Sequence, residues 1–371
     1  MFSGDRLFFI LTGIFIAALV FSLLVNSVFM RFFRTFGIRE NAPKVVRWNA
    51  SSKPAFGGIS FLLVFLFAFA LDSALFEQGP TAFRSELLGL LLSAGLGFLM
   101  GLADDAYDTR PLLKVATQLA CGFILVLSGT GIHLFGIPVL DGALTILWVV
   151  GLMNAINMLD NMDAIAALVC LCILITALAQ FMVARTTPDV NTILMLAVCG
   201  ALCGFLFFNW HPSRMYMGDT GSQFLGVFIA YIGIRYFWNN TGYNGAFQPW
   251  RQVSITFVVF LLPLVDTTTV TINRIMRGTS PFVGGKDHTT HHLGYAGLTD
   301  PQVAMAFGGL GLFSGFLGLV ALRFIPEWSP LYTWLYLGYA VVVFLLLFGI
   351  TRKSGNERAD GLSHPEAPPN E

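Results

Sequence analysis

Long apolar runs separated by short polar stretches make up most of this chain. Runs close to the ~20 residues that cross a bilayer as an α-helix predict membrane spans. We predict an all-α polytopic membrane protein with about eleven transmembrane helices, near residues 7–29, 57–76, 86–103, 113–129, 140–158, 164–184, 192–210, 222–237, 253–273, 302–325 and 331–350. Because the connections are short, residues 1–351 are expected to form one integral-membrane domain. The polar, Pro-containing residues 352–371 are expected to form a disordered cytoplasmic tail.

Composition supports a membrane protein. Of 371 residues, 56% are hydrophobic and 11% are charged, whereas soluble proteins have about 25% charged residues. The net charge is zero, so the basic surface of a nucleic-acid-binding protein is absent. The first apolar run is too long for a signal-peptide core and lacks a small-residue cleavage site, so we expect it to be retained. All five cysteines lie in apolar runs, which favours buried thiols over disulfides or zinc ligands.

The distribution of Lys and Arg predicts the orientation. The loops after the odd-numbered spans, together with the C-terminus, carry fifteen of the 21 basic residues. The positive-inside rule places this side in the cytoplasm and the N-terminus outside. The acidic and histidine clusters described below lie on the same side. That one-sided distribution predicts a shared site at the cytoplasmic membrane surface.

A polar patch ends the fifth predicted span. Asn154, Asn157, Asp160 and Asp163 follow one another at intervals of three residues, which places them near one stripe of a helix. Amides and carboxylates at membrane depth are costly and usually face a site instead of lipid. We therefore take all four as candidate site residues, with Asn154 and Asp160 assigned to substrate binding.

Two adjacent carboxylates, Asp104 and Asp105, end the third predicted span, and Lys114 opens the fourth. Neighbouring carboxylates repel each other unless a cation or a shared proton relieves them. Lys114 can return across the short loop to the same level, as a point charge for phosphate. The alternative is a pair of helix-end acids on a solvated loop, and the pair alone does not decide between the two.

The sequence Met-Gly-Asp-Thr-Gly-Ser at 217–222 joins the seventh and eighth spans. Its glycines let the backbone approach a ligand, and the start of the following helix offers N–H groups to an anion. Asp219 is a hard oxygen ligand suited to Mg²⁺, and Tyr216 could stack on a flat base. In isolation, such a string is also a common turn with an Asp or Ser cap.

A histidine-rich loop follows the ninth predicted span, within which Asp266 lies. A carboxylate at that depth is either a site residue or paired with a buried group such as Asn or Lys. His288, His291 and His292 are not spaced as common zinc ligands are, and no cysteine accompanies them. Phosphate binding by imidazole in a basic loop suits them better. We interpret His211 as structural.

In their order and spacing these motifs resemble the polyprenyl-phosphate N-acetylhexosamine-1-phosphate transferases. The resemblance runs from about Arg39 to Leu293. It rests on KPAFGG at 53–58, GLADD at 101–105, Lys114, NAINMLDNMDAIA at 154–166, FNWHPSRMYMGDTGS at 208–222 and the histidine loop at 287–292. It implies attack of a polyprenyl phosphate oxygen on the sugar-linked phosphorus of a UDP-sugar, with release of UMP.

The resemblance also implies a role for individual residues on the donor side. Asp219 and Asn157 resemble the ligands of Mg²⁺, for which Mn²⁺ is an alternative. Lys114 resembles the lysine that touches the diphosphate. Asp163 and Tyr216 match the positions that read the edge of uracil and stack on its face.

On the acceptor side, Asp104 and Asp105 resemble the aspartates near the lipid phosphate, the first of which is proposed as its base. His288, His291 and His292 resemble the histidine motif that borders the sugar and the phosphates. These three histidines complete the set of residues that the resemblance assigns to the site.

The chain departs from the usual family pattern in two places. Asn161 and Ala164 stand where glycines are usual, which is expected to tighten the backbone near uracil. One extra residue separates His288 from His291, compared with the common H-x-H-H, so the role of the first histidine stays open. The H-H-H-F-E run expected of the muropeptide translocase is also missing, which favours simpler hexosamine donors.

We therefore predict a bacterial inner-membrane enzyme that transfers GlcNAc-1-phosphate from a UDP-N-acetylhexosamine to undecaprenyl phosphate, with its active site on the cytoplasmic face. The reaction would be the first membrane step of cell-envelope polysaccharide synthesis. A homodimer is left open. A phospho-MurNAc-pentapeptide translocase is the alternative within this class. A transporter with an intramembrane carboxylate site is the alternative from another class, and it would need access from both faces.

Overall fold

The computed structural model describes residues 4–32, 53–75, 85–184, 189–241, 247–280 and 285–363. Within these ranges every regular element is helical, as predicted. The helices are α1 (Gly4–Phe32), α2 (Gly57–Leu75), α3 (Ser85–Tyr107), α4 (Pro111–Leu127), α5 (Pro138–Leu159), α6 (Ile165–Ala184), α7 (Val190–Asn209), α8 (Gly218–Gly233), α9 (Pro249–Val259), α10 (Leu261–Met276), α11 (Thr289–Tyr295), α12 (Asp300–Phe324) and α13 (Pro330–Ser363). A π-helical turn, Ile234–Trp238, extends α8.

Every predicted span coincides with helix, but eleven full membrane crossings are not confirmed. In the described part of the chain, six helices are long and apolar enough to cross a bilayer, namely α1, α3, α5, α7, α12 and α13. The ninth predicted span is instead a pair, α9 and α10, bent by 75°, which makes a seventh crossing if it is counted as one. Helices α2, α4 and α6 are apolar but shorter. The orientation stays a prediction.

Local sequence explains where several helices begin. Pro111, Pro138 and Pro249 stand in the first turns of α4, α5 and α9. Proline is favourable there because its φ suits a helix and the first backbone N–H groups have no partner within the helix. At α12 the side chains of Thr299 and Gln302 form a capping box. These starts set which residues fall in the turns that carry the site.

Helix α8 is the centre of the bundle. Its residues from Thr220 to Gly233 are all buried, and it packs against α2, α3 and α5. The ring of Phe65 on α2 lies 5.5 Å from that of Phe224 and 5.9 Å from that of Phe228, both in edge contacts. Because α8 is enclosed by its neighbours, they determine the position of its first turn.

Glycines bring two neighbouring backbones against that first turn. A Cβ placed on Gly58 would overlap the backbone of Gly221, and a Cβ placed on Gly101 would overlap the carbonyl of Asp219. Only glycine leaves room for backbones at this separation. Gly218, which begins the turn, has a φ of 71°. The sequence therefore fixes the first turn of α8 through backbone contacts.

The last helix is longer than predicted. Residues 352–363, expected to belong to a disordered tail, continue α13 as helix, and residues 364–371 lie outside the described residues. Thr351 and Ser354 are buried, and α13 packs against α11. This packing supports the extension, and the polar composition of the segment did not reveal it.

Candidate active site

Helix ends and loops enclose a cavity of about 1340 Å³. Eleven of the twelve site residues predicted from sequence line it, namely Asp104, Asp105, Lys114, Asn154, Asn157, Asp160, Asp163, Tyr216, Asp219, His288 and His291. The convergence predicted from the one-sided distribution of polar clusters is therefore present. The residue that does not line the cavity is His292.

Lys114 lies at the centre of the polar network. Its Nζ is 3.2 Å from Asp104 Oδ2, 3.2 Å from Asn157 Oδ1 and 2.8 Å from Asp219 Oδ2. The lysine belongs to α4 and its partners to α3, α5 and α8. One ammonium group thus joins four helices, and three hard oxygen atoms converge on one cation.

The two asparagines of α5 continue this network. Asn157 Nδ2 donates to Asp219 Oδ1 at 2.6 Å, so both carboxylate oxygens of Asp219 accept hydrogen bonds. One turn earlier, Asn154 Nδ2 donates to Gln118 Oε1 at 2.7 Å, and Gln118 Nε2 donates to Gln223 Oε1 at 3.2 Å. These side-chain hydrogen bonds connect α4, α5 and α8.

The adjacent acids Asp104 and Asp105 have different partners. Asp104 Oδ1 accepts hydrogen bonds from the backbone N–H, at 3.0 Å, and the hydroxyl of Thr109. Asp105 instead accepts from the backbone N–H groups of Asp219 and Thr220, at 3.0 and 2.9 Å, and from the Thr220 hydroxyl at 2.7 Å. A carboxylate at a helix start satisfies its N–H groups and suits its dipole. Asp105 therefore holds the first turn of α8 in place.

The predicted polar stripe ends with the helix. Because α5 stops at Leu159 and Asp160 caps it, Asp163 lies in the following turn and does not continue the helical spacing. Asp163 Oδ1 accepts from Ser213 Oγ at 2.7 Å, and its Oδ2 accepts from Ser213 N at 3.0 Å and from His211 Nδ1 at 3.0 Å. His211, interpreted from sequence as structural, lines the cavity. Asp163 thus joins this turn to the loop before α8.

Sequence reasoning missed Lys53 as a site residue. Its Nζ lies 5.2 Å from the centroid of the Tyr216 ring and donates to Ser213 Oγ at 3.0 Å. A cation over an aromatic face is attracted by the ring, so one face of Tyr216 is covered by this ammonium. Tyr216 N also donates to Pro54 O at 2.9 Å. The motif KPAFGG at 53–58 could have indicated Lys53, but the sequence analysis assigned no role to that motif.

The histidine helix α11 is anchored by Asp266. His288 Nδ1 donates to Asp266 Oδ2 at 2.9 Å, and Asp266 Oδ1 accepts from the backbone and hydroxyl of Thr289 at 2.8 and 2.6 Å. Asp266 is 0% exposed and is paired with a buried group, as one of the two readings from sequence expected, and that group is a histidine. Burial lowers the pKa of His291 to about 3. His291 is thus a neutral imidazole at pH 7.

His292, predicted from sequence to bind substrate, does not line the cavity. Its Nδ1 lies 2.6 Å from Ser354 Oγ on α13, and its ring packs edge-on against Tyr295 at 5.3 Å. His291 lines the cavity, whereas the side chain of His292 is directed at α13. His292 therefore attaches α11 to α13.

Two further basic side chains line the cavity beside Lys114. Arg274 donates two hydrogen bonds to Asp287, at 2.9 and 2.7 Å, and Arg274 and Lys286 both line the cavity. Burial would raise the pKa of Asp287, but the hydrogen bonds and charge of Arg274 outweigh it and lower that pKa. The cavity therefore has basic groups that suit phosphate on two sides.

The oxygen atoms of the network fit a magnesium ion. Within the described ranges, no group of three or more His, Cys, Asp or Glu residues is arranged to hold a metal. Mg²⁺ does not require such a cage, because it usually binds through one or two carboxylates plus substrate phosphates and waters. The oxygens of Asp104, Asn157 and Asp219 already converge on a cation. Asp219 and Asn157 are the residues that would hold the ion.

Only one of the two departures from glycine affects backbone conformation. Ala164 has a φ of 67°, in the left-handed region, whereas Asn161 does not have a positive φ. Ala164 N donates to Asn209 Oδ1 at 2.9 Å, which holds this conformation. The predicted tightening of the backbone near uracil stays a prediction.

Comparisons with known proteins agree with this arrangement. Residues 87–237 match the family model described as "Glycosyl transferase family 4". The chain is 25% identical, over 93% of its length and 92% of the relative's, to a "Probable undecaprenyl-phosphate N-acetylglucosaminyl 1-phosphate transferase" of Bacillus subtilis (strain 168). It is 30% identical, over 82% of its length and 96% of the relative's, to a "Phospho-N-acetylmuramoyl-pentapeptide-transferase" of Heliobacterium modesticaldum.

A third relative is a "Decaprenyl-phosphate N-acetylglucosaminephosphotransferase" of Mycolicibacterium smegmatis. It is 27% identical over 79% of this chain and 77% of its own length. The residues matched by the family model include Asp104, Lys114, Asn157 and Asp219. The similarity thus covers the network around the lysine as well as the membrane helices.

Proposed function

This chain belongs to glycosyl transferase family 4, among the polyprenyl-phosphate N-acetylhexosamine-1-phosphate transferases, and we propose that it transfers GlcNAc-1-phosphate from UDP-GlcNAc to undecaprenyl phosphate. The observation that carries this proposal is the convergence of Asp104, Asn157 and Asp219 on Lys114. Such a cluster of hard oxygens and an ammonium suits a diphosphate with a divalent cation. The relatives from Bacillus and Mycolicibacterium are named for transfer of a GlcNAc phosphate.

On the donor side, each group has a task that follows from its position. Lys114 holds the diphosphate at the centre of the network, and Arg274 and Lys286 face it from another wall. Mg²⁺ held by Asp219 and Asn157 would neutralise the charge of the diphosphate. The neutral imidazole of His291 exchanges hydrogen bonds with the sugar and phosphate oxygens without adding charge. Tyr216 offers its ring to the base.

On the acceptor side, an oxygen of the lipid phosphate attacks the sugar-linked phosphorus. A new P–O bond forms, the P–O bond to the uridine phosphate breaks, and UMP leaves as the anion. The lipid phosphate is already an anion near neutral pH, so the attack needs no proton removal. In this scheme Asp104, on α3, positions the ammonium of Lys114 through their hydrogen bond. Whether Asp104 also acts as a base is tested separately by the pH–rate profile of Asp104→Asn.

The test uses the purified protein in detergent with undecaprenyl phosphate, UDP-GlcNAc and MgCl₂. We expect UMP release that requires both the lipid and the divalent ion, with a lipid-linked GlcNAc diphosphate as the product in mass spectrometry. Manganese is expected to replace magnesium in part. UMP release without lipid, or no release at all, would contradict the proposal and would return the transporter to consideration.

The identity of the donor is decided by competition. The relative from Heliobacterium is named for a muramoyl-pentapeptide donor, whereas the loop at 287–292 lacks the H-H-H-F-E run associated with that donor. We expect UDP-MurNAc-pentapeptide to compete poorly with UDP-GlcNAc for UMP release. Preferential use of the pentapeptide donor would assign the chain to the muropeptide reaction.

The metal assignment predicts a large effect of Asp219→Asn. We expect UMP release to fall by ~10³-fold or more, because a charged ligand and a partner of Lys114 are both lost. The control is Asp189→Asn, which changes the same group at the start of α7, where Asp189 accepts from Thr192 N. Asparagine is an equally good helix cap, so this variant should keep wild-type activity. Similar activity in the two variants would refute the assignment.

A further inference from the structure

We propose that Asn161 and Thr290 form a positioning pair, which fixes the histidine helix α11 against the turn that follows α5. Thr290 Oγ1 donates to Asn161 Oδ1 at 2.6 Å, across 129 residues of sequence. Thr290 is 0% exposed, and Asn161 lines the cavity. The pair rests on the proposed function, because its task is to set the spacing of groups that contact one donor molecule.

The amide of Asn161 is itself fixed. Its Nδ2 donates to Met158 O at 2.8 Å, at the end of α5, so its Oδ1 is directed at Thr290. The same turn contains Asp160 and Asp163, which both line the cavity. A hydrogen bond to Asn161 therefore ties α11 to the wall on which these two acids lie.

Helix α11 depends on such contacts for its position. It spans seven residues, and so short a helix has too few internal hydrogen bonds to be stable by itself. Three of its side chains hold it to three different elements: Thr289 to Asp266 on α10, Thr290 to the turn after α5, and His292 to Ser354 on α13. Of these three contacts, the one made by Thr290 reaches the wall that contains Asp160 and Asp163.

The consequence concerns the distance between two parts of the site. His288 and His291 move with α11, while Asp163 belongs to the turn after α5 together with Asn161. A donor that spans both parts needs them at a fixed separation, and a misplacement of about 1 Å can cost ~10²-fold in rate. Both members of the pair also stand where this chain departs from the family pattern. A glycine at 161 would have no side chain with which to make this bond.

A double-mutant cycle tests the pair with Thr290→Val, which keeps the shape of the side chain and removes the hydroxyl, and Asn161→Ala. We expect each variant to lower kcat about tenfold while the KM for UDP-GlcNAc changes less than about threefold. The double variant should be no slower than either single variant. Thr290→Ser, which keeps the hydroxyl, should retain activity within about twofold.

The matched control is Thr176→Val. Thr176 is also buried, but its hydroxyl bonds within its own helix, to Cys172 O at 2.8 Å. We expect this variant to keep wild-type kcat. Hydrogen exchange of the peptide that covers α11 gives a readout without substrate: Thr290→Val and Asn161→Ala should accelerate it, and Thr176→Val should not.

Several outcomes would overturn the proposal that Asn161 and Thr290 position α11. These are wild-type kcat in Thr290→Val, losses that multiply in the double variant, or unchanged exchange in α11. Loss of activity in Thr290→Ser equal to that in Thr290→Val would also exclude a role for the hydroxyl. A wild-type protein without lipid-dependent UMP release would instead refute the proposed function, and the exchange measurement would still decide whether the pair holds α11.

Discussion

Asp104 and Asp105 show how neighbouring residues of one type acquire different tasks. Asp104 contacts the ammonium of Lys114, whereas Asp105 accepts three hydrogen bonds from the first turn of α8. Sequence spacing could not separate them, because partners that are distant along the chain decide each role. The structure assigns Asp105 to positioning and Asp104 to the cavity network.

This difference predicts opposite profiles for two variants. Asp105→Ala leaves three donors of α8 without an acceptor, so we expect a loss of about 2–3 kcal/mol in the free energy of unfolding. Asp104→Ala should lose less stability, because Lys114 keeps Asp219 and Asn157 as partners and the partly exposed Thr109 can bond to water, but most UMP release should disappear. Thermal unfolding in detergent and the UMP assay measure the two effects. Equal loss of stability in both variants would contradict the assignment.

Ala164 stores backbone strain at the turn beside the cavity. Its φ of 67° is unfavourable for a residue with a Cβ, by about 1–2 kcal/mol. Ala166, two residues on, is equally buried at 1% exposure but lies within α6. The two alanines therefore give a matched comparison of one substitution in two conformations.

We expect Ala164→Gly to be neutral or to stabilise the protein by up to about 1 kcal/mol, because relief of strain offsets the greater freedom of glycine when unfolded. Ala166→Gly should destabilise by up to about 1 kcal/mol, because glycine is less favourable than alanine in a helix and Ala166 lies in the first turn of α6. Melting temperatures in detergent measure the difference between the variants. The strain would be disproved by a larger loss in Ala164→Gly than in Ala166→Gly.

At the scale of elements, the contact between α3 and α8 positions the site. Gly101 lets the α3 backbone touch the carbonyl of Asp219, while Gly95 on the same helix has nothing within 4 Å of a Cβ position. A small change at Gly101 must therefore move a backbone, whereas the same change at Gly95 meets open space.

Gly101→Ala is expected to shift the first turn of α8, to cost about 2–3 kcal/mol of stability and to lower UMP release about tenfold or more. Gly95→Ala should be neutral or slightly stabilising, because alanine favours helix. Melting temperature and kcat for both variants check this expectation. Normal activity in Gly101→Ala would show that the close approach does not set the position of Asp219.

The bend between α9 and α10 marks where helix prediction failed. The predicted ninth span is apolar along most of its length, apart from Asp266 and several threonines, and hydropathy does not distinguish one straight helix from two. The structure breaks it at Phe260, three residues before Pro263, which cannot donate a backbone hydrogen bond. The rings of Trp148 and Phe237 pack edge-on against Phe260, at 4.9 and 5.6 Å. Tertiary packing of this kind is not readable from local sequence.

For the whole molecule, sequence predicted the helical architecture and most of the cavity wall. Costly polar groups in apolar surroundings are informative, because they must converge on one another or on a ligand. Sequence could not predict the direction of His292, since that depends on where α11 begins, nor the contacts of Lys53, which follow from pairing with the loop before α8. The predicted number of full crossings stays a prediction, because in the described residues six or seven helices are long and apolar enough to cross a bilayer and three apolar helices are shorter.

The predicted orientation can be tested with two exposed aromatic residues at opposite ends of α4. Tyr107 is 80% exposed before it, and Phe135 is 55% exposed after it. We expect a cysteine at Tyr107→Cys to react with an impermeant maleimide from the cytoplasmic side, and one at Phe135→Cys from the other side. Four of the five native cysteines are buried and the fifth is partly buried, so background labelling should be low. The reverse pattern would invert the topology.

The hydrogen bond between His292 and Ser354 has a practical consequence for anyone who shortens this protein for structural work. Hydropathy alone suggests truncating the chain after Ile350, where the apolar segment of the last helix ends. Such a truncation would keep the apolar segment of α13. It would nevertheless remove Ser354, whose hydroxyl contacts His292 on α11, 62 residues earlier in the chain. A truncated protein for crystallisation should therefore include Ser354, although this serine lies beyond the apolar segment in a polar stretch of sequence.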